Sequence, residues 1–378
     1  MKLVYATDFD SKNILNWSGL GVYYGKMLNQ ARFELDFLSD LALPNPLFHF
    51  FKKHYTKRLW GKTYSPKFNA EVSRNYAKII HSKVKSGTHV FSPNTVVLAN
   101  LDKSLKTILY ADATLESLSK FYTKYSRFTK ACLEDGKQID QLAIDNSDIL
   151  IYTSAWAANS AINDYNADPS KIFIVPFGAN LDFTPDTDEA KQIIKKREIH
   201  THINLLFLGV DWERKGGDYA LKVTDTLNEA GIPATLHIAG IKNLSSKINR
   251  RYIINHGYIS KATIAGQKRL SAIIAASNFL ILPSLADCTP VSFSEANAFG
   301  VPCLVSNVGG HKSIIENGVN GMVNQHSEFV VNSVNYILTL RENDNAYQQL
   351  CSSSYEKYRT ELNWKTSGEK ISKLIKSI

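Results

Sequence analysis

Short apolar runs alternate with amphipathic stretches along the whole chain. The apolar runs are rich in β-branched and aromatic residues, and the stretches between them carry apolar residues at helical spacing. The runs are KLVYAT, FELDFLS, THVFS, KTILYA, DILIYTS and KIFIVPF in the first half and INLLFLG, ATLHIAG, NFLILPS and VPCLVS in the second. This alternation predicts βαβ units, so we expect each half to form a parallel sheet with helices on both faces.

A change in pattern near residues 178–202 predicts a domain boundary. Turn residues and Pro185 come first, an exposed charged stretch KQIIKKREIHTH follows, and INLLFLG then begins a new buried strand. We therefore expect two Rossmann-like, doubly wound α/β domains, 1–180 and 200–363, that face each other across a cleft. Residues 364–378 place apolar side chains at helical spacing and predict a last helix.

The composition is that of globular domains. Of 378 residues, 44% are hydrophobic and 21% charged, which excludes a disulfide miniprotein, a collagen-like fibre and a disordered tail. The four cysteines stand far apart without CxxC spacing, so we expect no zinc site, no disulfide framework and a cytoplasmic location. The N-terminal apolar run is too short for a signal peptide, and no stretch approaches the ~18 apolar residues of a membrane span.

The positive charge is concentrated in one segment. Residues 44–85 hold ten of the 44 basic residues and one of the 35 acidic residues, so this segment alone accounts for the net charge of +9. Aromatic residues are interleaved with its lysines. Three interpretations remain open: a solvated loop and helix whose rings fill a local core, an anionic membrane or acceptor surface, and a nucleic-acid surface. Of the two binding interpretations we prefer the membrane surface, with peripheral attachment at its inner face, over nucleic acid.

The strand-to-helix loops are the places to look for chemistry, because ligands of doubly wound sheets bind beyond the carboxyl ends of strands. The loop after the first strand contains Gly19 and Gly21, which would let the backbone approach an anion at a helix N-terminus; a plain turn is the alternative. The loop after INLLFLG places Arg214 and Lys215 directly before Gly216. Two adjacent cations at this position predict a diphosphate site, with a solvated basic turn as the alternative.

The loop after NFLILPS carries two acids eight residues apart. Asp287 stands before Pro290, and Glu295 lies within SFSEANAF, which predicts a short helix ended by Gly300. Such a pair could hold hydroxyls of two parts of one ligand. The stretch Gly309-Gly310-His311 follows VPCLVS, and it either closes over the ligand or forms a tight turn with an exposed histidine.

Taken in order, these motifs resemble the retaining GT-B glycosyltransferases of family 4. The resemblance implies two Rossmann-like domains, transfer of a sugar from a nucleoside diphosphate sugar, and a last helix that crosses back onto the first domain. The acceptor would be a glycan, a lipid-linked molecule or a protein. The matching stretches, which span nearly the whole chain, are SGLGVYY, YADATLESL, TSAWAANSAINDYNADPSKIFIVPFGANLD, GVDWERKGG, HGYISK, ADCTPVSFSEANAFGVPCL and NVGGHKSIIENGVNGMV.

The resemblance assigns a donor site residue by residue. Glu295 would bind the ribose hydroxyls and Asp287 would face the transferred sugar, as the two acids of the family's E-x7-E motif. Arg214 and Lys215 would hold the diphosphate. The other residues implied in donor binding are Val291 and Ser292 through their backbone N–H groups, Thr289, Tyr258 and Ile259 beside the base, and Gly19 and Gly21 in the first domain.

The chain departs from the family pattern at four positions. Asp287 is one methylene shorter than the usual glutamate, which puts donor choice in doubt. Val210 stands where many members have an arginine, and Pro290 replaces a common glycine. Asp112 stands where a catalytic-region histidine is usual. Three roles remain open for Asp112: a helix N-cap, a contact with donor or acceptor, and a nucleophile.

We expect metal-independent chemistry and no cofactor. Side chains and helix N-termini supply the positive charge, and the triplet Asp8-Phe9-Asp10 follows strand one in the domain opposite the donor loops. Two other functions remain open: a sugar-nucleotide epimerase of the same fold, and a catalytically silent sugar-nucleotide-binding protein, since Asp287 and Val210 both deviate.

Overall fold

The chain forms two α/β units. The structure is a computed structural model that describes residues 1–246, 248 and 250–378. Unit 1 comprises Met1–Val175 and Gly368–Ile378, and unit 2 comprises Pro176–Ser367. Within the described residues each unit contains a six-stranded sheet in which every pairing is parallel.

Unit 1 is built on a sheet of order β2-β1-β3-β4-β5-β6. Buried residues such as Val4, Val90 and Leu109 fill its core together with the inner faces of the helices. The strands are β1 Lys2–Ala6, β2 Glu34–Leu38, β3 His89–Ser92, β4 Lys106–Ala111, β5 Ile149–Tyr152 and β6 Ile172–Ile174, and the helices are α1 Leu20–Gln30, α2 Pro46–Trp60, α3 Ala70–Lys83, α4 Thr95–Leu98, α5 Leu115–Phe121, α6 Lys130–Asn146 and α7 Ala155–Tyr165.

Unit 2 is built on a sheet of order β12-β11-β10-β7-β8-β9. Its core contains fully buried residues from the three central strands, among them Phe207, Ile238 and Phe279. The strands are β7 Ile203–Leu208, β8 Ala234–Ala239, β9 Ile253–Gly257, β10 Phe279–Leu282, β11 Cys303–Ser306 and β12 Gly321–Asn324, and the helices are α8 Thr187–Lys195, α9 Gly217–Glu229, α10 Ile264–Ala275, α11 Val291–Asn297, α12 Phe329–Arg341, α13 Asp344–Thr360 and α14 Trp364–Ile375.

The strand order of unit 2 reverses between β7 and β10. These two strands are neighbours in the sheet, yet β8 and β9 lie on one side and β11 and β12 on the other. A crevice opens at such a switch point, because the loops after the two central strands leave in opposite directions. The loops that follow β7 and β10 are those that carry the predicted cations and acids.

The predicted α/β fold with two doubly wound units is confirmed, and all ten predicted strands are present. Two edge strands, β9 and β12, were not predicted from the sequence. The stretch predicted as an exposed break contains α8, which an Asp186 capping box starts and which buries Ala190 and Ile194 in unit 2. The last helix, α14, begins in unit 2, and its residues from Gly368 onward belong to unit 1. No helix among the described residues is long and apolar enough to span a bilayer.

Candidate functional site

The backbones of the loops after β7 and β10 are in direct contact. Gly216 has a φ of +74°, and a Cβ on it would lie 2.0 Å from the carbonyl oxygen of Pro283. A side chain at this position would therefore clash with the neighbouring loop and would also strain the left-handed backbone. Leu285 N–H in turn donates to the carbonyl of Arg214 at 2.8 Å. The glycine is what allows the basic loop and the acidic loop to meet.

Lys215 and Asp287 form a buried ion pair across these two loops. The Lys215 ammonium donates to Oδ2 of Asp287, and both side chains are about nine-tenths buried, at 11% and 12% exposure. Arg214 Nη1 lies 3.5 Å from the same carboxylate oxygen and donates to the carbonyl of Ala286 at 2.9 Å. Three of the four predicted catalytic residues are thus brought together, and Asp287 lies against the cations.

The charges around Asp287 set its ionisation. Burial by itself would raise the pKa of Asp287, but Lys215, together with His311 and Arg214, holds that pKa below its ordinary value. Asp287 is therefore a carboxylate at neutral pH. A buried anion beside two cations offers incoming phosphates a site in which the positive charge is already fixed in place.

His311 is fully buried, so the alternative of a tight turn with an exposed histidine is wrong. Its Nδ1 donates to the carbonyl of Ser306 at 2.7 Å, and Nε2 makes no hydrogen bond with the described residues. Burial lowers the pKa of His311 to about 4, so the ring is neutral at pH 7. The loop after β11 also contacts the Asp287 loop, since Gly310 N–H donates to the carbonyl of Cys288 at 2.7 Å.

Glu295 is paired with a lysine that the sequence analysis did not assign. The carboxylate is 2% exposed, and its Oε1 accepts from the ammonium of Lys261. Lys261 belongs to the HGYISK stretch, but only its neighbours Tyr258 and Ile259 were predicted to contact a nucleotide. The sequence gives no local sign of this ion pair, because its two residues are 34 positions apart.

The remaining predicted donor residues of unit 2 lie in the segments that follow β9 and β10. Thr289 and Ser292 are buried, and Val291 begins the predicted short helix, α11, after Pro290 at the N-cap. Tyr258 follows β9 and is 44% exposed, while Ile259 is half-buried. The structure therefore places all of these residues at the carboxyl edge of the unit 2 sheet. Val210, where the family often has an arginine, is 69% exposed and contributes no charge.

In unit 1, Gly19 and Gly21 are required by the packing of their own loop. A Cβ on Gly21 would lie 2.8 Å from the ring of Phe9 and 3.2 Å from the backbone of Ser11. Gly19 ends a turn in which Trp17 and Ser18 also have positive φ, at 45° and 55°. The turn is therefore strained as well as tight, whereas the plain-turn alternative requires no strain.

Asp112 is not a helix cap. The N-cap of α5 is Thr114, whose hydroxyl accepts from Ser117 N–H in a complete capping box. Asp112 is half-buried beside Tyr24 and Tyr110, and its charge adds to the effect of burial that raises the pKa of both tyrosines. The interpretation of Asp112 as a cap is therefore wrong, and its contact and nucleophile roles stay predictions.

The segment around Asp112 is held by a buried carboxylate on α6. Asp140 accepts from Leu115 N–H at 2.6 Å and from the hydroxyl of Thr95 at 2.7 Å. Burial raises the pKa of Asp140 to about 6. These bonds fix the start of α5 relative to α4 and α6, so the loop that carries Asp112 is anchored on both sides.

The triplet Asp8-Phe9-Asp10 is held by an ion pair, because Asp8, 2% exposed at its side chain, pairs with Lys67 at 2.8 Å. A second triplet, Asp186-Thr187-Asp188, lies in unit 2 and was missed in the sequence, and its Asp186 caps α8. Among the described residues there is no group of three or more histidine, cysteine, aspartate or glutamate side chains that could hold a metal ion.

Helix α2 presents its apolar side chains to solvent. Its two buried residues are His49, which hydrogen-bonds to the Tyr64 hydroxyl at 2.8 Å, and Thr56. The exposed apolar side chains, each at least half accessible, are Leu47, Phe48, Phe50, Phe51, Tyr55, Leu59 and Trp60. Tyr64 and Tyr76, farther along the segment 44–85, are buried. The local-core interpretation is therefore right for these tyrosines and wrong for α2.

Comparisons with known proteins find most of their sequence similarity in unit 2. Residues 188–355 match the model of the glycosyl transferases group 1. The chain is 26% identical over 168 residues to the UDP-Gal:alpha-D-GlcNAc-diphosphoundecaprenol alpha-1,3-galactosyltransferase of Escherichia coli, covering 43% of each chain. It is 25% identical over 224 residues to the lipopolysaccharide glucosyltransferase WaaG of Escherichia coli strain K12, covering 55% of this chain and 54% of that one.

These matches leave the other half of each relative uncovered: the chain spans about half the length of the curated relatives it matches. One solved structure extends the likeness of the fold to the full length. Anabaena HepE in complex with UDP and glucose superimposes with a TM-score of 0.64 at 14% identity, and the match covers 100% of both chains. The chain therefore has the GT-B fold, and its residues 188–355 are similar to the glycosyl transferases group 1.

Proposed function

We propose that this protein transfers a sugar from a nucleoside diphosphate sugar to an acceptor, with retention of the anomeric configuration and without a metal ion. The observation that carries the proposal is the buried pair of Lys215 and Asp287, joined by Arg214, at the switch point of the unit 2 sheet. Two cations held in place beside Asp287 suit the diphosphate of such a donor, and the second acid, Glu295, suits its ribose.

The cations act on the charge that develops during the reaction. When the bond between the anomeric carbon and the diphosphate oxygen breaks, negative charge grows on the departing diphosphate. Lys215 and Arg214 stabilise that charge more strongly in the transition state than in the ground state, which accelerates the step. Because side chains supply this charge, the proposed reaction requires no resident metal ion.

Asp287 has two tasks in this scheme. It holds Lys215 in place before the donor binds, and its carboxylate faces the transferred sugar, where it accepts hydrogen bonds from hydroxyls. For retention, we propose that the acceptor hydroxyl attacks the anomeric carbon on the face from which the diphosphate leaves. The new carbon–oxygen bond forms as the old one breaks, and the acceptor proton passes to the departing phosphate oxygen.

The donor to test first is a UDP-sugar. The name of the Escherichia coli galactosyltransferase gives UDP-Gal as its donor, and the HepE structure contains UDP and glucose. GDP-sugars form the second group to test.

The proposed acceptor is a lipid-linked or glycan molecule presented at an anionic membrane surface. The names of the two Escherichia coli relatives refer to a diphosphoundecaprenol lipid and to lipopolysaccharide. In this chain the exposed rings of α2 stand among Lys52, Lys53, Lys57 and Arg58, a combination that suits an anionic headgroup region. All four cysteines are free thiols, which supports a reducing compartment and hence attachment at the cytoplasmic face.

The test is product analysis with a panel of radiolabelled UDP- and GDP-sugars and a lipid-linked acceptor mixture. The expected result is label in the acceptor fraction, with the α-anomer formed from an α-linked donor. Conversion of the donor to another nucleotide sugar would identify an epimerase instead. Binding of nucleotide sugar without any product, under conditions in which a control glycosyltransferase is active, would identify a silent binding protein.

A further inference from the structure

The two acids of the site pair with cations on different loops, and Glu295 pairs with a cation on the loop after β9. Its carboxylate is 2% exposed, and Lys261 binds Oε1, whereas Lys215 binds the other acid, Asp287. A buried carboxylate without a cation would be strongly disfavoured. Lys261 therefore supplies the cation for this carboxylate and fixes which of its two oxygens is already engaged.

Lys261 is itself held in position. The amide nitrogen of Gln267, a residue 5% exposed, donates to the carbonyl of Lys261 at 3.0 Å and to Oδ2 of Asp182 at 3.2 Å. Thr263 caps α10 by accepting from Gly266 N–H at 3.1 Å. The Lys261 side chain is 23% exposed. These contacts describe a lysine on a fixed loop, in contrast to a mobile surface lysine.

The loop also fixes where Lys261 lies relative to a nucleotide. It follows β9 three residues after Tyr258, in the segment proposed to meet the base, and its ammonium reaches the acid proposed to meet the ribose. Lys261 thus joins the two parts of the site that recognise the nucleoside.

We propose that Lys261 is a positioning residue that sets the ribose specificity of the donor site. By occupying Oε1 of Glu295, it leaves Oε2 to accept from the ribose hydroxyls in one orientation. A nucleotide that lacks the 2′-hydroxyl cannot donate this hydrogen bond to Oε2 of Glu295. It should therefore bind more weakly than the ribonucleotide. This inference rests on the proposed function, because it takes a nucleoside diphosphate as the ligand of the site.

The test compares UDP with 2′-deoxy-UDP by isothermal calorimetry, or GDP with 2′-deoxy-GDP if UDP does not bind. We expect the wild-type protein to prefer the ribonucleotide by about tenfold or more. In Lys261→Met the affinity for UDP should fall about tenfold, and the preference should shrink to less than about threefold. Lys261→Arg should retain most of the preference, because it keeps a cation beside Oε1.

Two controls separate a positioning role from a structural one. Lys268→Met removes an exposed lysine on α10 whose ammonium lies over the ring of Phe183. This variant should bind both nucleotides like the wild type. The double variant Lys261→Met with Glu295→Gln should show little more loss than Glu295→Gln alone, since the two residues act as one unit.

Equal losses for both nucleotides in Lys261→Met would indicate a merely structural role and overturn the inference, as would an unchanged preference. Failure of the wild-type protein to bind either UDP or GDP is a different result, which would reject the proposed donor site and this inference with it.

Discussion

Gly309 lies against the backbone of Asp287. A Cβ on Gly309 would be 1.9 Å from the carbonyl oxygen of Asp287, and the φ of Gly309 is +50°. The loop after β11 therefore supports the loop that presents the buried acid, although neither the cations nor the acids of the site lie on it. The position of Asp287 depends on a residue without a side chain.

Gly309→Ala should reduce kcat/KM by at least about tenfold, because the added methyl group must displace the Asp287 backbone and so disturb its pairing with Lys215. Steady-state kinetics with the identified donor would measure this. Gly318→Ala is the matched control: its φ is +76°, but no atom lies within 4 Å of its Cβ position. It introduces a comparable backbone strain and should leave kcat/KM unchanged. Equal losses in both variants would show that strain alone explains the effect.

Lys215→Met should lower kcat by about 10²–10³-fold, the range for removal of one preorganised charge-stabilising group. It should also lower the thermal stability, because Asp287 loses its nearest cation in a buried position. Adding Asp287→Asn to Lys215→Met removes the carboxylate charge that Lys215 no longer compensates. The double variant should therefore recover much of the melting temperature and none of the turnover. Recovery of turnover along with stability would show that Lys215 serves only the fold.

Glu295→Ala and Asp287→Ala should separate nucleotide binding from transfer. Since Glu295 is proposed to meet the ribose, its removal should weaken the binding of the nucleoside diphosphate itself. Removal of Asp287 should mainly reduce the transfer rate, because this acid faces the sugar that the free diphosphate lacks. Calorimetry with the diphosphate and single-turnover kinetics give the two quantities. An unchanged affinity in Glu295→Ala would reject its assignment to the ribose.

The sequence was sufficient for those parts of the site that lie close together along the chain. Arg214 and Lys215 are adjacent, and Asp287 and Glu295 follow one strand, so spacing and the position after a buried strand identified them. The central strands were equally predictable, because each is a continuous apolar run. The edge strand β9 was missed because its residues, IINHG, are partly exposed and have no such run.

The pairing of charges was not predictable in the same way. Lys261 reaches Glu295 and Lys215 reaches Asp287 over long sequence separations, and only the fold brings these side chains within reach of each other. His311, for which an exposed position was one alternative, is buried because its ring packs edge-on against Phe293 and its Nδ1 has a partner in Ser306. A local sequence pattern indicates neither contact. Exposure of the α2 rings was left open for a similar reason, since a helix pattern does not reveal which face finds a partner.

Turnover should survive EDTA. The proposed reaction takes its positive charge from Arg214 and Lys215, and addition of magnesium or manganese after chelation should therefore change the initial rate by less than about twofold. A dialysed sample assayed with and without each metal provides the measurement. Loss of turnover on chelation with full recovery on addition of magnesium would reject the metal-independent reaction while leaving the donor site in place.

The last prediction concerns α2, which has its polar His49 and Thr56 buried and its rings exposed. We expect the protein to float with anionic liposomes at low salt and to dissociate as salt is added. The electrostatic part of the attraction weakens because the Debye length falls from about 10 Å at 0.1 M to about 3 Å at 1 M. Exchange of Lys52, Lys53, Lys57 and Arg58 for glutamate should abolish flotation and leave the nucleotide affinity unchanged.

The control is a second quadruple variant with the same change in net charge, located outside α2. Arg74, Lys78, Lys83 and Lys85 belong to the same basic segment, but they lie on or just beyond α3, which lacks the exposed rings. Their exchange for glutamate should weaken flotation only partly, because the apolar contacts of α2 remain. If both quadruple variants lose binding equally, the attraction depends on net charge and not on α2. If the wild-type protein stays in the soluble fraction at low salt, the acceptor is presented away from an anionic membrane.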